Sequence, residues 1–237
     1  MIEPQLEDIK NLPDMKVDKN VVKKQAADAD YDVKIKNMKI DRGHLFPCSY
    51  APDEETKKST FTLTNVVPQA SSFNRISWRS MECSVRKTLT TDCLDSNGKI
   101  KAYVVTGAVP SKSNTLNNRV NIPSLLWTAY CCYNSTKRQW VAEAHWGENR
   151  EYVKGDRLPS NTLADLYKML SDVKHYNGGV KVFPDYCQNG KQDDTGRNGE
   201  AGAGQKRSGE MSGEGSRKRP RETGDEENDC DFDCDEE

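Results

Sequence analysis

Between residues 101 and 146 the chain carries three strand-length apolar runs in succession: KAYVVTGAVP (101–110), IPSLLWTAYCCY (122–133) and RQWVAEAHW (138–146). They are rich in β-branched and aromatic residues and are closed by Gly107, Pro110 and Asn134, so they read as strands. The first is almost continuously apolar, which predicts a central strand covered on both faces. Residues 160–175 predict an amphipathic helix, with Ser160 or Asn161 as cap. Leu163, Leu166, Met169, Leu170 and Val173 form its inner face. VKVFPDYC (180–187) reads as a last strand.

Upstream the order is strand, loop, strand, helix. Ile40 to Phe46 reads as the end of a strand, and Pro47 and Pro52 mark a loop that holds Asp53, Glu54 and Glu55. FTLTNVV (61–67) is a second strand, and Pro68 ends it and opens a helix. That helix runs from 69 to about 89, with Phe73, Trp78, Met81, Val85 and Leu89 on its apolar stripe. Residues 1–39 form a thin, charged lead-in, with a short helix hinted at by Val21, Val22 and Ala26 and a strand at 31–40. The expected fold class is α+β, a mostly antiparallel sheet flanked by helices.

Composition limits how much of the chain can fold in this way. Nine of the 16 glycines lie between Gly190 and Gly224, in a stretch almost without large apolar residues. Residues 1–187 are therefore the domain able to bury a core. Residues 188–237 are expected to be a disordered tail, basic and then acidic. The tail's basic clusters, Lys206-Arg207 and Arg217 to Arg221, read either as a nuclear import or nucleic-acid patch or as a solvated linker. Net charge is -2, but residues 224–237 hold nine acidic side chains and no basic one, so the rest of the chain stands at +7. A basic body suits a polyanionic ligand, although a solvated surface of mixed sign accounts for it equally well.

Six cysteines lie in the body (Cys48, Cys83, Cys93, Cys131, Cys132, Cys187) and two in the tail (Cys230, Cys234). The even body count permits a disulfide framework, with the pairing left open. The start, MIEPQLEDIK, has no apolar signal segment, and no run has membrane-spanning length. Cysteine usage and the N-terminus thus disagree about compartment.

The residue types in 40–87 suit phosphodiester hydrolysis. His44, at a strand end beside Gly43, is placed to deprotonate water. Arg42 can grip a phosphate in bidentate fashion. Asn74 offers an amide oxygen suited to Mg²⁺, which takes few protein ligands and keeps most of its waters. Glu82 lies eight residues beyond Asn74, roughly 12 Å along a helix, so it reaches an ion through water. Asn65 is better placed to hold backbone than metal. Singly, each has a plainer reading: His44 as a packed or surface residue, Asn74 as helix surface, and Glu82 with Arg86 as an i,i+4 ion pair. His145 reads as structural.

The segments DRGHLFP and STFTLTNVVPQASSFNRISWRSME together resemble the DNA/RNA non-specific endonuclease family, within the ββα-metal (His-Me finger) nucleases. More narrowly they are similar to the endonuclease domain-containing protein 1-like branch, which AYVVTGAVP and IPSLLWTAYCCY also match. The resemblance spans roughly residues 1–187. It implies a ββα-metal fold and a sequence-tolerant endonuclease acting on DNA and RNA, dependent on Mg²⁺ or another divalent cation such as Mn²⁺, and leaving 5′-phosphate ends. It implies His44 as general base, Arg42 as phosphate clamp, Asn74 as direct metal ligand and Glu82 as the acid that holds metal-bound water. Asn65 and Asp41 take supporting roles. It further implies secretion, with the nucleus as the alternative for a chain without a signal segment. Only 40 residues precede Asp41, fewer than is usual in the family, which leaves a rival reading. In that rival the chain is a nuclease-derived nucleic-acid-binding or interaction protein that does not cut.

Overall fold

The computed structural model describes residues 1–7, 15, 22–31, 39–173 and 179–189. The strand read at 31–40 falls mostly outside the described residues, as does the tail from residue 190. Residues 22–26 bend without forming the hinted helix. Among the described residues the protein is α+β, and all of its strand pairing is antiparallel.

Strands β1 (Ile40–His44) and β2 (Val66–Ala70) form one two-stranded ribbon, with the short helix α1 (Glu54–Ser59) between them. A helical turn at Phe73–Trp78 with π-type hydrogen bonding runs directly into α2 (Arg79–Asp92). Strand β3 (Ala102–Val109) follows, then the small hairpin β4 (Thr115–Leu116) and β5 (Val120–Asn121). Next come β6 (Leu125–Asn134) and β7 (Gln139–Glu148). The helices α3 (Leu163–Ser171) and α4 (Asp185–Asn189) complete the description.

The larger sheet has the order β3-β6-β7. Its central strand is therefore β6, not β3 as the apolar run at 101–110 suggested. Eight of the ten residues of β6 are buried, whereas in β3 only Val109 is, and Tyr103 is 56% exposed. The pleat divides β6 between two cores. Trp127, Ala129 and Cys131 pack with Leu163, Leu166 and Leu170 of α3 on one face. Leu126, Tyr130 and Cys132 pack with Phe73, Trp78 and Met81, Val85 and Leu89 of α2 on the other. Burial on both faces is why β6 reads as an unbroken apolar run.

Two disulfides rivet these layers from adjacent residues. Cys132 joins Cys93 at the end of α2, and Cys131 joins Cys187 in α4. Cys48 and Cys83 are disulfide-bonded as well.

Four further expectations are corrected. Residues 61–65 are not strand: Leu63–Asn65 form a 3-10 turn and β2 begins at Val66. Pro68 lies inside β2 instead of ending it, which a two-stranded ribbon tolerates because the proline's missing N–H can face away from the partner. The helix cap at 160–162 is Thr162, which forms a capping box with Asp165. Asn161 instead pairs its backbone with Ala144 at 2.9 Å in both directions. Residues 180–184 do not form a strand. Their Val182 and Phe183 amides donate to the Tyr167 hydroxyl, and Phe183 is buried under α3.

The lead-in is more than a thin extension. Ile2, Val22, Ala27 and Tyr31 share a buried cluster with Leu63 and Val66, and so support the β1–β2 ribbon. Asn149, just past β7, joins that ribbon to the large sheet. It accepts from the Ala70 amide at 2.8 Å and donates to the carbonyls of Pro68 and Pro123, both at 2.9 Å.

Candidate active site

The site grows from β1, whose sequence is IDRGH. Successive side chains leave a strand on opposite faces, so Arg42 and His44 point one way and Asp41 and Gly43 the other. In register, Asp41 lies opposite Gln69, Arg42 opposite Pro68, Gly43 opposite Val67 and His44 opposite Val66.

Asp41 ties the strand to the helical turn. It accepts from Ser71 Oγ at 2.8 Å, from Asn74 Nδ2 at 3.3 Å, and from Arg75 Nε and an Arg75 terminal nitrogen at 2.7 and 3.0 Å. Burial pulls its carboxyl up, but the hydrogen bonds from Arg75, Ser71 and Asn74 outweigh this and hold it below its usual range. Engaging the amide nitrogen of Asn74 fixes which end of that side chain offers an oxygen. Asn74 also sits in the π-type turn, a distortion that recurs at functional sites.

His44 lies edge-on to Phe61, with ring centroids 4.8 Å apart. Its Nε2 is buried and has no hydrogen-bond partner. Burial lowers its pKa to about 4, so the ring is neutral at physiological pH. Arg42 is paired with Asp28 at 3.2 Å and stands over the Tyr31 ring at 5.4 Å. Asn65 holds the chain leaving His44. Its Oδ1 accepts from the Phe46 amide at 3.0 Å, and its Nδ2 donates to the carbonyls of Phe46 and Thr60. Burial pushes the Glu82 carboxyl up to about 8, against the opposing pull of Trp78 and Arg79. The Tyr50 hydroxyl donates to the Glu82 carbonyl at 3.1 Å, setting the loop after His44 beside α2.

Direct contacts therefore join Asp41 to Asn74, and Asn65 to the segment after His44. Arg42 is held by a group upstream of the site, and Glu82 is linked through backbone. No hydrogen bond joins His44 to Asn74. Among the described residues, no three His, Cys, Asp or Glu side chains cluster to hold a metal. An ion that takes few protein ligands and keeps most of its waters, as Mg²⁺ does, could take the amide oxygen of Asn74, whose nitrogen end faces Asp41.

The DNA/RNA non-specific endonuclease family description matches residues 6–192, which takes in β1, β2, the helical turn and both disulfides. The chain belongs to this family. It is 29% identical to the human endonuclease domain-containing 1 protein over 171 residues, 72% of this chain and 30% of that protein. It is 33% identical to a nuclease of Nostoc sp. over 88 residues, 37% of this chain and 30% of that protein. The chain thus spans about 30% of the length of the curated relatives it matches. Among solved structures, EndoG in a crystal structure of the EndoG/EndoGI complex shares 19% identity. That likeness has a TM-score of 0.48 and covers 62% of this chain and 60% of that one.

Several residues that build the site carry no readable signal of their own. Asp28 and Tyr31 lie far from the family motif, and Ser71 and Arg75 look like helix surface. Gln69 is the instructive case: it lies in the motif segment, is fully buried, and both ends of its amide lack a partner. It explains Gly43. A Cβ at Gly43 would stand 2.0 Å from Gln69 Cδ and 2.1 Å from its Nε2. The glycine is needed for space. Gly43→Ala is therefore expected to destabilise the protein by about 1–3 kcal/mol through overpacking of the ribbon. Urea unfolding reads this directly, and an unchanged midpoint would show that Gln69 can move aside.

Proposed function

We propose that the chain is a divalent-metal-dependent endonuclease that hydrolyses phosphodiester bonds of DNA and RNA with little sequence preference. Residues 1–187 form its nuclease domain and residues 188–237 an appended tail. The observations that carry this reading are a buried, neutral His44 whose Nε2 has no partner and an Asn74 amide whose orientation Asp41 sets, both within one strand–turn–helix stretch.

In this reading His44 Nε2 takes a proton from water as the water oxygen attacks phosphorus. Arg42 exchanges Asp28 for the substrate phosphate and holds it in place. Asn65 keeps the loop after His44 in position, and Asp41 keeps Asn74 and Arg75 in place. Asn74 would hold Mg²⁺, or Mn²⁺ in its stead, through its amide oxygen, with Glu82 reaching it through water. The ion, when bound, offsets charge on the phosphate and on the leaving oxygen. The net +7 of the chain outside its acidic end draws in a polyanion. The disulfides favour an oxidising, extracellular setting over the nucleus.

Nicking of supercoiled plasmid by the full chain tests this. The wild type should cut with Mg²⁺ and stop with EDTA. Asn74→Ala should lose about 10³-fold in rate, the scale of several kcal/mol of charge stabilisation, while keeping its unfolding midpoint. Cutting that persists in EDTA, or a fully active Asn74→Ala, would sink the reading. A second reading, a binding protein that does not cut, draws on the Asp28–Arg42 pair, which already occupies the phosphate clamp. A folded wild type that binds duplex and never cuts would favour it.

A further inference from the structure

In the run Leu45-Phe46-Pro47-Cys48 the largest side chain is the one left in water. Phe46 is 39% exposed, whereas Pro47 and Cys48 are buried and Leu45 packs against the core beneath α2. A single exposed apolar residue is ordinary on a protein surface. Phe46 is set apart by its place. Among the described residues the other exposed large hydrophobics are Leu6, Ile100, Tyr103 and Val153, all outside the strand–turn–helix stretch. Phe46 lies two residues after His44, where β1 ends. We propose that Phe46 is a stacking platform for an unpaired nucleobase, which biases the site toward single-stranded DNA or RNA over closed duplex. The substrate class rests on the endonuclease reading.

The backbone supports this. Both polar backbone groups of Phe46 are held by one side chain. Asn65 Oδ1 accepts from its amide at 3.0 Å, and Asn65 Nδ2 donates to its carbonyl at 3.0 Å. The same Nδ2 donates to the Thr60 carbonyl at 2.9 Å, so Asn65 is itself tied down. Pro47 follows, and a proline narrows the backbone choices of the residue before it. The ring therefore stands on a fixed stem, and a base that settles on it has little protein left to order.

The rings support it as well. Tyr50 meets Phe46 at a right angle, with centroids 6.0 Å apart and planes at 89°. The Tyr50 hydroxyl is anchored on the Glu82 carbonyl, so α2 backs this contact. Among the described residues no ring stacks parallel to Phe46. The Cα atoms of His44 and Phe46 are two residues apart, at most about 7 Å. A base flanking the phosphate that meets His44 is thus within reach of the ring.

The chemistry fits a site with little sequence preference. Every base has a π-face, so an aromatic platform accepts any of them. In a closed duplex those faces are covered by neighbouring pairs, and freeing one costs unstacking. The strand that gains from Phe46 is one whose bases are already free.

The test is binding by the full chain in EDTA at low salt. The probes are a fluorescent oligothymidine, its abasic counterpart and a duplex, all of one length. The two single strands carry the same phosphates and differ only in their bases. Phe46→Ala should weaken oligothymidine binding about tenfold, the scale of one stacked base, and should change abasic and duplex binding by less than about twofold. Phe46→Trp should restore the affinity, and Phe46→Leu should not. A loss shared by the abasic strand would overturn the proposal, as would full affinity in Phe46→Ala or Phe46→Leu. The ring is exposed, so the urea midpoint of Phe46→Ala should match the wild type. A lowered midpoint with weaker binding of all three probes would make Phe46 a structural residue and overturn the proposal too. Plasmid nicking with Mg²⁺ reads the endonuclease separately. A wild type that cuts, beside a Phe46→Ala that binds oligothymidine normally, keeps that reading and sinks this one. A wild type that never cuts, yet binds oligothymidine through Phe46, does the reverse.

Discussion

His44→Ala should nick supercoiled plasmid about 10³-fold more slowly than the wild type, within the usual 10²–10⁴ range for a positioned acid or base, and should bind the same duplex equally well. In the proposed mechanism His44 is the base, and its Nε2 is buried and unpaired, so its loss would remove a proton acceptor without removing a phosphate contact. A matching loss of binding would mean that His44 serves the substrate-binding surface instead. The pH dependence follows from the same burial. Because His44 titrates near 4 and not near its ordinary 6.5, it stays unprotonated through the weakly acidic range. The wild-type rate should therefore show no acid limb from this residue between about pH 5 and 7. The linkage runs the same way. As pH falls below 6.5 the unfolded chain takes the proton first, so the stability contributed by a neutral His44 is complete above 6.5 and drains away toward 4. The full span is worth roughly 3 kcal/mol. The difference in unfolding free energy between wild type and His44→Ala should shrink across that window as acid is added. A constant difference would show that His44 titrates normally.

Removing either body disulfide should cost about 4 kcal/mol of stability, by the loop-closure treatment of separations of 39 and 56 residues. Alanine is the substitution of choice, because Cys93, Cys131 and Cys132 are fully buried and a serine hydroxyl there would lack a partner. Cys93→Ala with Cys132→Ala should loosen the end of α2. Cys131→Ala with Cys187→Ala should loosen α4 and the core beneath α3. Both pairs lower the urea midpoint, and hydrogen exchange should rise in a different layer for each. Uniform loss of protection in both variants would show that the two layers unfold as one unit.

Much of this was legible beforehand, for reasons that can be named. The stripe Phe73, Trp78, Met81, Val85 and Leu89 was readable because one face of a helix meets one core, and all five residues are buried. The DRGH and TN-x-x-PQ segments carried enough specificity to point to the family. What escaped depended on partners distant in sequence. The run at 101–110 and the run at 122–133 look equally central, and only pairing with β7 makes β6 the middle strand. Pro68 looked like a strand stop because its tolerance depends on which edge of a two-stranded ribbon it faces. The roles of Asp28, Gln69 and Asn149 are contacts across 14, 26 and up to 81 positions, and no local pattern encodes them. Disulfide pairing is of the same kind. Cys131 and Cys132 are neighbours in sequence, yet the pleat sends them to opposite layers.

The Cys131–Cys187 bond also sets where mechanical load enters the molecule. Tension on the chain beyond residue 187 would meet that covalent link first and would pass to β6 without relying on the packing of α3 or α4. It would arrive at the middle strand of the sheet, which antiparallel ladders brace on both sides, and not at an edge that could be peeled away. A cargo or surface attached downstream would pull on the strongest-held strand of the fold.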